Sequence, residues 1–172
     1  MERRSVEAIV DGLNRAGVRY LIVGGLAVVA HGFVRFTADI DLVLDPDPAA
    51  MRRAIEALAA LGYRPRAPVA FEEFADPEKR RAWASEKSLM VFSASSPRHP
   101  ATEIDLFVEA PFDFERAYAD ADRFEVGTGV EATFVGRADL ITMKRRAGRP
   151  QDLKDVEELE MGPPGGEVGR GA

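Results

Sequence analysis

The chain has 172 residues, of which 46% are hydrophobic and 30% are charged. This length fits one compact domain, and the apolar content excludes a chain that is disordered throughout. The formal net charge of −6 argues against a protein that coats nucleic acid non-specifically. Because the chain has no cysteine and 2 histidines, disulfides and thiolate metal sites are excluded, and a metal ion would bind mainly through oxygen.

The N-terminal residues and the hydropathy pattern predict a cytoplasmic protein without a membrane span. No apolar stretch follows Arg3 and Arg4, so this region does not resemble a secretory signal. The longest apolar stretch, residues 20–30, is only about half the length of a membrane span.

The first 44 residues predict a helix, a strand, a glycine bend, a short helix and a second strand. Apolar residues recur at helical spacing behind Ser5, which we expect to cap the first helix. A short apolar strand, residues 20–23, runs into Gly24-Gly25, and a short helix follows the bend. Residues 39–44 then alternate with the period of two that is typical of a strand.

Turn residues and apolar stripes divide the rest of the chain. Asp47 and Pro48 begin the clearest helix, which ends at Gly62. Three prolines weaken the pattern between residues 63 and 88, where only a short helix over 78–85 is predicted. The later predicted elements are a strand at 89–92, a loop at 93–100, a strand at 103–108, a hairpin of strands at 123–126 and 130–135, and helices at 137–147 and 151–160. Residues 162–172 are rich in glycine and proline, so we expect a flexible tail after a single domain formed by residues 1–161.

Asp39 and Asp41 share one face of their strand, and Asp105 lies on a strand with a similar pattern. Two carboxylates about 4 Å apart repel by roughly 4 kcal/mol at an effective dielectric of about 20. Solvent exposure, an arginine such as Arg35, a raised pKa or a divalent cation could compensate this repulsion. Magnesium fits the last option, since it takes one or two protein carboxylates together with water and phosphate oxygens. Alternating aspartates can also simply mark the solvent face of an edge strand.

Gly24-Gly25 favours the interpretation as a phosphate site. The pair ends a strand and begins a helix, so its backbone can approach a phosphate closely while amide groups point toward it. A glycine pair alone indicates only a turn. Here it precedes Asp39 by 13 intervening residues, and this combination is far more specific than either motif.

Together these motifs resemble the DNA polymerase β-like nucleotidyltransferase superfamily. The resemblance rests on Gly24-Gly25, Asp39-Ile-Asp-Leu42 and Glu103-Ile-Asp-Leu-Phe-Val108. The features that resemble the AbiEii-type and minimal nucleotidyltransferases of bacteria are Gly24-Gly-Leu-Ala27, His31-Gly32, Arg35, Thr37-Ala-Asp-Ile-Asp41 and residues 144–155. The resemblance implies an α/β (α+β) fold, in which a small mixed sheet like the polymerase β palm is flanked by helices, with further helices at the C-terminus.

The resemblance also implies roles for individual residues. Gly24 and Gly25 would hold the triphosphate of a nucleotide such as ATP. Asp39, Asp41 and Asp105 would ligate Mg²⁺ or Mn²⁺, and Asp105 would also take the proton of the acceptor hydroxyl. Many members have serine at the second glycine position, whereas here that contact is left to the backbone N–H.

Three further residues are assigned to the nucleotide site, each with an alternative. Lys144 shares a helix stripe with apolar residues and is directed toward the cleft, unless it is a snorkelling surface lysine. The family pattern also places Asp152 at the nucleotide, although it could be a helix N-terminal charge favoured by the macrodipole. Arg35 could contact a phosphate, brace the carboxylates or lie on the surface.

Other charged residues have simpler interpretations. Glu103 shares a face with Asp105 and is a rival for its role, but its place at the strand start favours solvation. We expect His31 to cap a helix. The runs Arg52-Arg53 and Lys79-Arg80-Arg81 are interpreted as solvated helix faces, although either could touch an RNA acceptor.

The sequence therefore predicts a magnesium-dependent nucleotidyltransferase that moves a nucleoside monophosphate from a triphosphate to a hydroxyl and releases pyrophosphate. The acceptor stays open among an RNA or tRNA end, a small-molecule hydroxyl and a protein side chain. The alternatives are a non-catalytic nucleotide-binding module of a toxin–antitoxin-like pair and a structural domain whose acidic face is only solvated. A homodimer or a helical partner protein could supply acceptor binding.

Overall fold

A computed structural model describes residues 1–162, so the tail predicted from position 162 lies outside the described residues apart from Gly162. The helices are α1 (Arg3–Arg15), α2 (Gly24–Ala30), α3 (Pro48–Ala60), α4 (Pro77–Lys87), α5 (Phe114–Ala119), α6 (Arg137–Ala147) and α7 (Pro150–Met161), with a 3-10 helix at Phe71–Ala75. The strands are β1 (Tyr20–Val23), β2 (Asp39–Leu44), β3 (Arg64–Pro65), β4 (Val91–Ser95), β5 (Glu103–Phe107), β6 (Asp122–Gly127) and β7 (Val130–Phe134). No helix in this part of the chain has the length and apolar character needed to cross a bilayer.

The strands form one mixed sheet in the order β3-β4-β5-β2-β1-β7-β6. At its centre, β2 runs antiparallel to β1 and parallel to β5. The start of β2 therefore lies beside the end of β1, and Asp41 pairs with Val23, the residue before the glycine bend. The predicted α/β fold with a mixed sheet flanked by helices is confirmed.

The core covers both faces at the centre of the sheet, since all residues of β1 are buried. On β2, Ile40 and Leu42 are fully buried, whereas Asp39 and Asp41 are partly exposed. The strand predicted at 39–44 is thus confirmed, and burial alternates over residues 39–42, whereas Val43 is also buried. One face of β2 belongs to the core and the other carries the two aspartates.

The segment without a clear sequence pattern covers the sheet with aromatic side chains. The rings of Phe71, Phe74 and Trp83 have centroids 6.2, 5.1 and 5.3 Å from that of Phe92 on β4. Pro77 occupies the first position of α4, where proline removes no helical hydrogen bond. The helix predicted at 78–85 is confirmed, and it is longer at both ends.

Two predictions for the chain's local structure are wrong. The strand expected at 89–92 is shifted to β4, so Ser93 is part of a strand and not of a loop. Its neighbours Phe92 and Ala94 are buried, and this burial imposes the strand on a segment rich in serine. Ser5 does not cap α1, which begins two residues earlier; it is buried with its hydroxyl 3.0 Å from His99 Nδ1.

Candidate active site

The glycine bend lies directly against the carboxylate of Asp41. Gly24 is the first residue of α2 and has a φ of +65°, a conformation that other residues rarely adopt. A Cβ atom placed on Gly24 would lie 1.9 Å from Asp41 Oδ2. Glycine is therefore required at this position both by the backbone conformation and by the closeness of the carboxylate.

The second glycine lets the loop after α2 lie close to the bend. A Cβ atom on Gly25 would lie 2.8 Å from Thr37 Oγ1 and 3.1 Å from Arg35 Nε. In the described part of the chain, Arg35 Nε is the one buried side-chain nitrogen or oxygen without a hydrogen-bond partner. An unpartnered donor thus lies beside the bend, where an anionic ligand could accept its hydrogen bond.

Strands β2 and β5 form what we call the acidic wall, which consists of Asp39, Asp41 and Asp105. The parallel register places Asp41 beside Asp105 and Asp39 beside Glu103. These side chains leave the same face of neighbouring strands, which lie about 4.8 Å apart in sheets. Within residues 1–162, no member of the acidic wall forms a salt bridge.

Burial, together with neighbouring carboxylates, raises the pKa of two carboxyl groups in the acidic wall. Burial, followed by the charges of Asp105 and Asp39, raises the pKa of Asp41 to about 6 against opposing effects of Lys144 and the Gly25 amide. Burial and the neighbouring carboxylates also raise the pKa of Asp39. The acidic wall therefore retains repulsion that a bound cation would relieve.

A serine on β4 holds the third aspartate of the acidic wall. Ser93 pairs with Asp105 in the antiparallel register, and its hydroxyl donates a 2.6 Å hydrogen bond to Asp105 Oδ1. Glu103, the rival carboxylate, instead forms an ion pair with Arg66 at 2.8 Å. Asp105 is thus oriented by a neutral donor, while the charge of Glu103 is already compensated.

Helices α6 and α7 and the loop before β2 form what we call the paired wall: Arg35, Lys144, Arg149, Asp152 and Asp155. Lys144 is only 4% exposed, and its Nζ lies 2.7 Å from Asp155 Oδ2 and 3.3 Å from Asp152 Oδ1. Arg35 also pairs with Asp155, and Arg149 Nε lies 2.6 Å from Asp152 Oδ2. Burial and the charge of Arg35 lower the pKa of Lys144. Each cation of this wall therefore has a carboxylate partner.

The acidic wall and, apart from Asp155, the paired wall line one cleft of about 320 Å³. The cleft contains every site residue predicted from the sequence: Gly24, Gly25, Arg35, Asp39, Asp41, Asp105, Lys144 and Asp152. The rest of its lining is partly apolar and includes Met90, Phe107, Pro111, Leu140 and Met143. The cleft thus combines acidic, basic and apolar surfaces, as a site for a charged organic ligand would.

The family model described as "Nucleotidyltransferase of unknown function (DUF6036)" matches residues 5–162. The chain belongs to this nucleotidyltransferase family. No curated protein matches its sequence significantly.

Solved structures share the nucleotidyltransferase fold at low sequence identity. The lincosamide antibiotic adenylyltransferase LnuA, solved with lincomycin bound, is 14% identical, with a TM-score of 0.61 over 93% of this chain and 97% of its own. A nucleotidyltransferase-like antigen from Paracoccidioides brasiliensis is 13% identical, with a TM-score of 0.57 over 91% of this chain and 74% of its own. The antibiotic-resistance factor ANT(2'')-Ia is 15% identical, with a TM-score of 0.51 over 92% of this chain and 80% of its own. At such identities the likeness concerns the fold alone.

Three predicted site residues, for which the sequence left alternatives open, have defined partners in the structure. Lys144 is buried in an ion-pair network, so the alternative of a snorkelling surface lysine is wrong. Asp152 binds Lys144 and Arg149, so it is more than a charge at the start of a helix. Arg35 pairs with Asp155 and not with the carboxylates of β2.

Sequence reasoning missed two residues, Asp155 and Ser93, that contact residues lining the cleft. Asp155 joins Lys144 and Arg35, and its spacing of three residues from Asp152 on α7 could have indicated a shared helix face. Ser93 was missed because its segment was interpreted as a loop. Only the register with β5 reveals its contact with Asp105.

Among the other charged residues, Glu103 is partly exposed and paired with Arg66, and the remaining interpretations hold except at one arginine. His31 follows α2 as its C-cap residue, with Nε2 2.9 Å from the carbonyl oxygen of Val135, so the cap prediction is confirmed. Arg52 and Arg53 are exposed, as expected. Arg80, however, is buried, so the interpretation of its run as a solvated helix face is wrong at that position.

The donor set of the cleft suits a hard divalent cation that is also held by a substrate. Within residues 1–162, no group of three or more His, Cys, Asp or Glu side chains forms a complete metal cluster. Magnesium does not need one, since it binds one or two carboxylates and completes its octahedron with water and phosphate oxygens. The acidic wall thus fits a metal ion shared with a nucleotide and not a cation held by protein alone.

Proposed function

We propose that the chain is a Mg²⁺-dependent nucleotidyltransferase, also able to use Mn²⁺, which transfers a nucleoside monophosphate from a triphosphate to a hydroxyl and releases pyrophosphate. The observation that carries the proposal is the contact between the glycine bend and Asp41. This contact places backbone N–H groups that can bind a phosphate next to a carboxylate that can bind the metal ion accompanying that phosphate. Such transfer depends on positioning and charge neutralisation and needs no covalent nucleophile.

The triphosphate would lie against the glycine bend. Gly24 and Gly25 offer backbone N–H groups without a side chain to obstruct them. Arg35 Nε, which has no partner in the described residues, supplies a further donor beside Gly25. Lys144 adds a positive charge to the cleft lining, and Asp152 and Asp155 hold its ammonium group in place.

Asp39, Asp41 and Asp105 would supply the carboxylates for the magnesium, one or two of them binding the ion directly, and the bound ion would neutralise charge on the triphosphate and in the transition state. Asp105 accepts the proton of the acceptor hydroxyl while that oxygen forms a bond to the α-phosphorus. The bond from the α-phosphorus to its bridging oxygen breaks, and pyrophosphate leaves. Ser93 donates its hydrogen bond to Oδ1 of Asp105, which leaves Oδ2 without a hydrogen bond from the described residues and available for the proton.

We also propose that the chain belongs to the AbiEii-type or minimal branch of the superfamily. The glycine pair and the stretch from Lys144 to Asp155 support this assignment. LnuA is an adenylyltransferase of a lincosamide antibiotic, which makes ATP the first nucleotide to test and a small-molecule hydroxyl one acceptor class. RNA ends and protein side chains are the other classes. A non-catalytic toxin–antitoxin module would bind the nucleotide but release no pyrophosphate.

Incubation with each α-labelled triphosphate, Mg²⁺ and a cell extract tests the proposal. We expect label to be retained on one acceptor fraction, with pyrophosphate released in equal amount. Asp41→Asn should abolish transfer without unfolding the chain, whereas the exposed Asp122→Asn on β6 should leave it unchanged. A fully active Asp41→Asn enzyme would rule out the mechanism.

A further inference from the structure

Arg80 on α4 is a buried cation outside the cleft. Only 7% of the residue is exposed. In the described residues, its side chain makes one hydrogen bond, from Nη1 to the carbonyl oxygen of Phe74 at 2.5 Å. The guanidinium carbon lies 5.7 Å from the centre of the Phe74 ring. These contacts hold the side chain in place but do not neutralise its charge.

The acidic residues around Arg80 do not provide a counter-ion. Asp76 and Glu109 influence its charge from a distance, and neither forms a salt bridge with it in residues 1–162. Arg81, the next residue, pairs with Glu78. Buried charges in proteins are normally paired, because burial without a partner is unfavourable. Burial accordingly lowers the pKa of Arg80, although arginine stays protonated in proteins.

A cavity of about 420 Å³ opens at Arg80, with Arg81 also in its lining. Its other walls come from the end of β2, the start of α3 and residues 107–110. Phe107 lines both this cavity and the active-site cleft. The two spaces are therefore neighbours with one lining residue in common.

We propose that the cavity at Arg80 is a second anion site, which binds an oxyanion such as a phosphate group. The guanidinium offers the planar pair of donors that a phosphate accepts. The phosphate could be free or be carried by an RNA acceptor whose reactive end lies in the neighbouring cleft. Binding of the anion itself does not depend on the proposed transfer reaction.

Calorimetric titration of inorganic phosphate into the full chain without nucleotide tests this site. We expect Arg80→Gln to weaken phosphate binding at least about tenfold, because a hydrogen-bonded charge is lost. Arg52→Gln, a change at an exposed arginine of α3, is the matched control and should bind phosphate like the unmodified chain. Equal phosphate binding by the unmodified chain and Arg80→Gln would overturn the proposal.

Glu109→Gln provides a second test that leaves Arg80 in place, in case Arg80→Gln does not fold. Glu109 lines the cavity, and removal of its charge should tighten phosphate binding several-fold, because anion repulsion is lost. Unchanged phosphate binding by this variant would contradict the site.

A single-stranded RNA oligonucleotide distinguishes free phosphate from a phosphate that belongs to an RNA acceptor. It displaces phosphate if the anion belongs to the acceptor, and it leaves phosphate bound if the anion is free; both results support the site.

Discussion

The two walls of the cleft differ in whether their charged side chains form salt bridges. In the paired wall, Lys144 lies 2.7 Å from Asp155, and Arg149 lies 2.6 Å from Asp152. In the acidic wall, Asp41 and Asp105 lie side by side, and neither forms a salt bridge in residues 1–162. In one wall every charged side chain thus has an oppositely charged partner, whereas in the other none has one in the described residues.

If the proposed function holds, this difference separates charges that the protein pairs by itself from charges that a bound ligand would compensate. Buried ions are stable when oppositely charged groups hold them, so the paired wall can keep its geometry in the free protein. The acidic wall instead has a carboxyl, that of Asp41, whose pKa is raised to about 6 by burial and by its neighbours. A metal ion and a triphosphate would complete this wall, and their binding energy would offset the repulsion.

The largest expected effect comes from a side chain placed between the bend and the acidic wall. Gly24→Ala should reduce transfer at least about 100-fold, because the new Cβ displaces the carboxylate of Asp41. Gly17→Ala is the matched control: Gly17 also has a positive φ, but its Cβ would meet nothing within 4 Å. It should cost about 1 kcal/mol of unfolding free energy and leave transfer unchanged. Equal activity losses in the two variants would show that backbone conformation alone matters.

In the paired wall, Asp155→Asn should destabilise the fold by about 3 kcal/mol, because Lys144 and Arg35 lose a buried carboxylate. Urea unfolding measures this loss. Glu160→Gln on the same helix removes an exposed pair with Arg145 and should cost only about 0.5 kcal/mol. Similar losses in both variants would contradict the structural role of the paired wall.

A smaller effect is expected from the serine that orients Asp105. Ser93→Ala should lower kcat about tenfold and leave the KM for the triphosphate unchanged, since one hydrogen bond to the proton acceptor is lost. Ser93→Thr keeps the hydroxyl and should restore most of kcat, while Ser95→Ala at an exposed position of β4 should have no effect. A rise in KM without a fall in kcat would instead assign Ser93 to nucleotide binding.

The smallest expected effect concerns His99, which lies outside both walls. It is an effect on the pH dependence of the unfolding free energy, to which the carboxyl groups of the acidic wall also contribute. Burial and the charge of Arg98 lower the pKa of His99, so its neutral form is favoured in the folded protein. The stability this provides is present above the unfolded pKa of about 6.5 and is lost as the pH falls through the folded value. Urea unfolding at pH 7.5 and 5.5 should show a smaller acid-induced loss for His99→Gln than for the unmodified chain. An identical loss would exclude His99 as its source.

Local patterns predicted the position of the site, but not the contacts that depend on packing. The alternation of residues 39–44 and the bend at Gly24-Gly25 are short-range signals, so the acidic wall could be predicted from them. The pairing of Asp155 with Lys144 depends on how α6 packs against α7. The role of Ser93 depends on its register with Asp105 across two strands.

Burial of charged residues was equally hidden from the sequence. The run Lys79-Arg80-Arg81 has the composition of an exposed helix face, yet Arg80 points under α4 toward Phe74. That burial arises from the aromatic cluster around Phe92, which is assembled from distant parts of the chain. Composition alone carries no information on such long-range packing.

Thermal unfolding at pH 8 of the unmodified chain and Asp41→Asn, each with and without Mg²⁺ and a non-hydrolysable triphosphate, tests the difference between the walls most directly. Without ligands, we expect Asp41→Asn to be at least as stable as the unmodified chain. The carboxylate of Asp41 is ionised at this pH, and burial and the neighbouring carboxylates disfavour its charge, which the substitution removes. Mg²⁺ and the triphosphate together should raise the melting temperature of the unmodified chain and leave that of Asp41→Asn nearly unchanged. An equal rise in both proteins, or no rise in the unmodified chain, would contradict a metal–nucleotide site at the acidic wall.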